Sequence, residues 1–176
     1  MNTHSLTTIG LFTAVLCILG PICFALPFSP VPVSLGTLGI MLAYMILSPG
    51  KCLLCTLLYL LLGFVGLPVF AGFTGGVGKL LGPTGGYLLG YLLLAGIGSY
   101  LADKWKYCFV MQFCGLLLGM LSCYASGTIW LMIQTDLHIG VAVMTGVLPY
   151  ILFDIGKIIC ALLLGNNMKK RGIRGY

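Results

Sequence analysis

Six runs of apolar residues, each closed by glycine, proline or a cluster of charge, leave this chain little choice of environment. They fall at about 6–26, 33–48, 51–66, 84–102, 107–133 and 149–165. Each approaches the roughly 20 residues that a helix needs to cross a hydrocarbon core about 30 Å thick. Of the 176 residues, 60% are hydrophobic and only 7% are charged, too few charges to keep a domain of this size in water. The expectation is an all-α integral membrane protein with six transmembrane helices, a single domain over 1–176. The opening MNTHSLTTIGLFTAVLCILG lacks the basic start and small-residue cleavage site of a signal peptide, so it is read as the first span. TDLHIGVAVMTGVL is too short to span and is expected as a helical piece lying along, or dipping into, one face. Pro149 suits the first turn of the last helix, where its missing N–H would have had no intrahelical partner.

Six spans put both termini on one side, and charge chooses which. Lys51, Lys104, Lys106, Lys169, Lys170, Arg171 and Arg174 fall on one side; among loop cations the other side has Lys79. The positive-inside rule therefore places both termini in the cytoplasm. The net charge of +6 is read as a topology signal, compatible with attraction of the tail to anionic lipid. No interleaving of aromatic and basic residues points to nucleic acid. The outward loops are then the unusual ones: LPFSPVPVSLGT, the glycine-rich GLPVFAGFTGGVGKLLGPTGGY, and the segment ending at Pro149. Irregular backbone at membrane depth is tolerated where it is buried in protein or lines a cavity, so the substrate pocket is expected in the outer half.

The last run, PYILFDIGKIICALLLG, carries Asp154 and Lys157. Residues three apart share a helix face, so both side chains can point into the bundle. At about 1.5 Å per residue they lie about 7 Å and 12 Å into the helix from Pro149, beneath the glycine-rich loop. The plain alternative is an ion pair that neutralises itself. An intramembrane ionisable pair at the foot of a cavity is otherwise a ligand or ion site. The carboxylate accepts ligand N–H groups and the ammonium donates to ligand oxygen, a combination suited to a small polar head group.

Other motifs carry less. GFTGGVGKLLG lacks the phosphate-loop pattern, with Phe73 and Leu80 where glycine and Ser or Thr would stand. Its glycines instead let backbone approach a ligand closely. Cys52 and Cys55 form a C-x-x-C inside an apolar run, with no second cysteine pair or nearby histidine to complete a zinc site, and His4 and His138 are isolated. No metal and no disulfide framework is inferred. An intramembrane aspartyl hydrolase built on Asp136 and Asp154 is opposed by Lys157, which offers Asp154 a counter-ion in place of a shared proton. Gly10 and Ala14 make a small-xxx-small pair, the pattern that lets two membrane helices meet closely, and mark the first helix as a docking face for a partner or a neighbouring span. Tyr87, Tyr91, Tyr124 and Trp130 are candidates either for interfacial anchoring or for a pocket wall.

SPVPVSLGTL, GLPVFAGFTGGVGKLLGPTGGYLLGY, CYASGTIWL and GVLPYILFDIGKII together resemble the BioY family, the biotin-specific S components of energy-coupling factor (ECF) transporters. The resemblance runs along nearly the whole chain. It implies a multi-pass protein of the cytoplasmic membrane that is not an enzyme and has no cofactor. Such a protein binds biotin from outside and hands it inward when docked on a transmembrane T subunit driven by two ATP-binding subunits. It places the biotin head near the glycine-rich loop and the acid and lysine of the last helix. Here Asp154 would accept a ureido N–H, Lys157 would hold that carboxylate charged and donate to a ligand oxygen, and Phe73, Thr74, Gly75, Tyr87 and Tyr124 would close over the ring. An S component for another vitamin is the neighbouring alternative. Three departures from the family pattern stand out: Gly36 where glutamine is usual, Leu152 and Phe153 in place of Pro-Gly, and Lys79 in a loop that is usually neutral.

Overall fold

Proline and glycine set most of the helix boundaries. The computed structural model describes residues 3–27, 29, 31–104 and 108–170; Lys106, Arg171 and Arg174, with the side chains of Lys169 and Lys170, lie outside the described residues. Helix α1 spans Thr3–Leu19 and stops short of Pro21, whose ring disfavours helical backbone in the residue before it. The chain then runs extended through β1, Cys23–Phe24, which pairs antiparallel with β2, Val33–Ser34. Helix α2, Gly36–Ile46, is followed by α3, Pro49–Val65, which begins on Pro49 and ends on Gly66 in the left-handed conformation (φ 111°). A short α4, Val77–Leu81, leads to α5, Gly85–Leu93, which continues through a π-helical stretch, Leu94–Gly98, into α6, Ser99–Lys104. Helix α7 covers Phe109–Thr135, α8 Ile139–Gly146 and α9 Leu148–Lys170. Pro149 thus sits in the first turn of α9, and the short helical piece expected ahead of it is α8.

Among the described residues, three helical stretches are long and apolar enough to cross a membrane: Gly85–Lys104, Phe109–Thr135 and Ile139–Met168; α1, α2 and α3 are apolar but shorter. The runs expected at 6–26 and 33–48 are only partly helical. At 1.5 Å per residue, the 11 residues of α2 rise only about 16 Å, roughly half the hydrocarbon thickness. The missing part is the β1–β2 hairpin, where apolar side chains sit on extended backbone. Apolar periodicity cannot separate a short buried strand from a helix end, which is why the sequence merges the two.

Helix α5 and its π-helical continuation lie along α7, α2 lies against α9, and α1 packs on α2 and α3. The α7 crossing is close because both sides present small residues. A Cβ on Gly119 would come within 2.5 Å of the Gly98 Cα, and one on Gly115 within 2.6 Å of the Ala102 backbone nitrogen, so bulk at either position would force the helices apart. Leu16, Met41, Leu94, Leu116, Ile158 and Leu162 fill the interior. Leu57, Leu61 and Val65 of α3, Val110 and Ile133 of α7, and Leu152 and Leu163 of α9 are exposed, so the helices are apolar outside as well as inside, as a lipid environment requires. Buried hydroxyls bond back along their own helix, Thr13 to the Ile9 carbonyl (2.9 Å) and Thr56 to that of Cys52 (3.0 Å), which satisfies them without water. The thiols of Cys52 and Cys55 diverge, one reaching the Ile40 carbonyl of α2 and the other the Ile9 carbonyl of α1. All eight cysteines are free.

Candidate ligand-binding site

The loops that follow α1 and α3 meet each other, α8 and the start of α9 at one end of the bundle. Ser29 Oγ donates to the Thr145 carbonyl (2.6 Å), the Gly72 N–H to the Pro21 carbonyl (3.0 Å), and the Tyr150 hydroxyl reaches Ser29 Oγ (2.5 Å) and the Val31 carbonyl. Beneath them lies a cleft with about 370 Å³ of empty space, part of it open to solvent. Its lining comes mainly from four places, with Gly146 of α8 besides. Tyr87 and Tyr91 lie one turn apart on α5. Met120, Cys123 and Tyr124 share one face of α7, and Tyr150, Asp154 and Lys157 one face of α9. The extended Val31–Ser34 segment and Thr37 close the fourth side.

Asp154 and Lys157 form an ion pair at 2.8 Å, the Asp154 side chain buried and that of Lys157 largely so. The other Asp154 oxygen accepts a hydrogen bond from the Tyr124 hydroxyl. Lys157 Nζ also donates to the Ser34 carbonyl (2.6 Å) and to Thr37 Oγ1 (3.1 Å). An ammonium has three protons, and all three are engaged. The expected donation from Lys157 to a ligand oxygen therefore has no free proton behind it in this structure. Lys157 instead ties α9 to the extended backbone before α2, satisfying a carbonyl left over where the expected second span is not helical. Asp154 keeps spare capacity: a carboxylate offers about four lone-pair positions, and one partner on each oxygen leaves two for ligand donors.

The tyrosines are held by their surroundings. Tyr87 donates to the Gly146 carbonyl (3.0 Å), and its ring rests on Gly127, where a Cβ would come within 2.2 Å of it. Trp130 stays outside the cavity lining and anchors α7 to the loop before α5 through the Gly82 carbonyl (2.9 Å).

The structure brings together Asp154, Lys157, Tyr87 and Tyr124 from the sequence-derived set, and leaves Phe73, Thr74 and Gly75 outside the lining of this cavity. These three belong to a tight turn in which Phe70 and Thr74 exchange backbone hydrogen bonds (2.9 and 3.3 Å). Phe73 is 72% exposed, with φ at 56°. The glycine-rich segment contributes through Phe70, Ala71 and Lys79, which line a second cavity of about 320 Å³ together with Thr84 and Leu88; Val31, Pro32, Ser34, Tyr87 and Tyr91 belong to both. Sequence reasoning missed Tyr150, Thr37 and Ser34. Tyr150 was accessible, because positions 150, 154 and 157 repeat at helical spacing; Ser34 and Thr37 carry no local signal, because they depend on where α2 packs. Asp136 is exposed, caps α7 in the left-handed conformation (φ 53°) and lies outside the lining, so no aspartate dyad forms there. Of the departures from the family pattern, Leu152 and Phe153 point outward, and a side chain at Gly36 would approach Ser34 Oγ and the Tyr91 ring, each at 3.3 Å. Among the described residues no group of His, Cys, Asp or Glu could hold a metal. Gly10 and Ala14 lie elsewhere, in an open apolar groove between α1 and α3.

The BioY family model matches residues 1–174. The chain is 37% identical over 162 residues to the biotin transporter BioY2 of Lactococcus lactis subsp. cremoris, covering 92% of this chain and 88% of that protein. It is 36% identical over 161 residues to the biotin transporter BioY of Thermotoga maritima, covering 92% and 93%. Its fold superposes on the crystal structure of the S-component for biotin from an ECF-type ABC transporter with a TM-score of 0.88 at 27% identity, over 97% of this chain and 95% of the other.

Proposed function

Because this chain belongs to the BioY family, we propose that it captures biotin for uptake as the substrate-specific subunit of an ECF-type ABC transporter. The observation that carries this reading is Asp154: a buried carboxylate, held from one side by Tyr124 and from the other by Lys157, with lone pairs to spare in a cavity walled by tyrosines. A cyclic urea presents N–H donors on a flat ring. Asp154 accepts from the ureido N–H, a charge-assisted bond of about 1.5–3 kcal/mol, while the faces of Tyr87, Tyr91 and Tyr124 exclude water around the bicyclic ring. Lys157 is a positioning residue. It neutralises the Asp154 charge within the bundle and fixes α9 to the Ser34 backbone.

In this reading the chain is multi-pass in the cytoplasmic membrane with both termini in the cytoplasm, which the excess of lysine and arginine on that side supports, and the cavity opens outward. It performs no catalysis and needs no cofactor; ATP is hydrolysed by two partner subunits, and a transmembrane T subunit docks on the apolar face of α1 around Gly10 and Ala14. The glycine-rich turn at Phe73, Thr74 and Gly75 does not line the cavity; in this reading it closes over the bicyclic ring.

The test is binding of tritiated biotin to the detergent-solubilised protein. Saturable binding, displaced by excess unlabelled biotin, is expected. Absence of displaceable binding overturns the reading and would direct the search to another vitamin.

A further inference from the structure

The chain has three acids, Asp103, Asp136 and Asp154, and of these only Asp154 reaches either cavity. The first cavity is therefore balanced: one carboxylate and one ammonium whose three protons are taken. A ligand carboxylate placed there would meet a like charge and no free cationic donor. The second cavity is different. Lys79 lines it without any carboxylate and is half-buried, and its ammonium makes no hydrogen bond or ion pair among the described residues. Thr84 lines the same space, and its hydroxyl is likewise unengaged. It directly precedes α5, whose amino-terminal end adds partial positive charge. Tyr87 and Tyr91 face both cavities, so the two spaces share an aromatic wall rather than being separated by a helix.

We propose that the second cavity is an acid-tail subsite: Lys79, assisted by the Thr84 hydroxyl, pairs with the carboxylate at the end of a flexible ligand chain whose ring is held at Asp154. The proposal rests on the reading of the first cavity as the biotin site and adds to it a determinant of selectivity for the free acid. Biotin matches the arrangement chemically. Its ureido ring donates at one end, its valerate carboxylate accepts at the other, and the chain between is apolar and passes along the tyrosine wall.

The experiment compares calorimetric binding of biotin and of its methyl ester, in detergent, to the unsubstituted protein, Lys79→Met and Lys79→Arg. A partly buried charge pair predicts a preference for the acid of about tenfold. Lys79→Met is expected to erase that preference by weakening the acid alone, and Lys79→Arg to retain it. Unchanged ester binding in both variants reports an intact first cavity. Equal binding of acid and ester to the unsubstituted protein overturns the subsite and leaves Lys79 facing water or lipid phosphate, while a preference that survives Lys79→Met assigns the tail to another group. If neither ligand binds the unsubstituted protein, the biotin reading itself fails; if both bind, only the subsite is in question.

Discussion

Asp154 has two roles that can be separated. Asp154→Asn removes the counter-charge from a buried ammonium, which costs about 3–5 kcal/mol, and also removes the acceptor for ligand N–H groups. Adding Lys157→Met removes the orphaned charge. The double variant is expected to regain most of the thermal stability lost by the single one, while biotin binding stays down by at least about a hundredfold in both. Unfolding in detergent and tritiated biotin binding read the two effects separately, and recovery of binding in the double variant would reduce the pair to a structural clasp. Tyr124→Phe is milder. It leaves one oxygen of Asp154 without its donor, for a loss of about 1–3 kcal/mol and a biotin affinity roughly tenfold weaker by the same titration.

At the scale of elements, the site depends on how closely α5 and α8 approach α7. Gly127 provides the seat for the Tyr87 ring, and Gly146 takes its hydroxyl. Gly127→Ala places a methyl where the ring lies, so Tyr87 must shift toward the cavity at a cost of about 1–3 kcal/mol, and biotin affinity should fall with it. Gly10→Ala is the control: a Cβ there meets nothing within 4 Å, and stability should stay within about 0.5 kcal/mol with binding unchanged. Differential scanning fluorimetry with and without biotin checks both. The elements themselves were unevenly legible. Helices α3, α7 and α9 follow from apolar runs punctuated by proline, glycine or charge. The β1–β2 hairpin does not, because Val33 and Ser34 are extended for a reason located 123 residues away, the Lys157 ammonium that takes the Ser34 carbonyl.

For the whole molecule, the reading requires binding and transport to use different faces. Gly10→Leu with Ala14→Leu fills the α1 groove without touching the cavity. Biotin binding to the purified protein should be unchanged, whereas uptake by cells that carry the partner subunits should be lost; unimpaired uptake would move the docking face elsewhere. Orientation is tested by a membrane-impermeant maleimide on single-cysteine variants. Phe73→Cys should label in intact cells, and Cys108, in the loop before α7, only after permeabilisation.

The sequence by itself determined the membrane environment and the pair Asp154 and Lys157, because hydrophobic length and helical spacing are local quantities that survive without a fold. Tertiary structure alone decided that Lys157 has no proton left for a ligand, that Tyr150, Thr37 and Ser34 share the cavity, and that Lys79 borders a second space next to it. These facts turn on which carbonyl or ring a distant segment delivers within a few ångströms, and no periodicity along the chain encodes a contact between residues that only packing brings together.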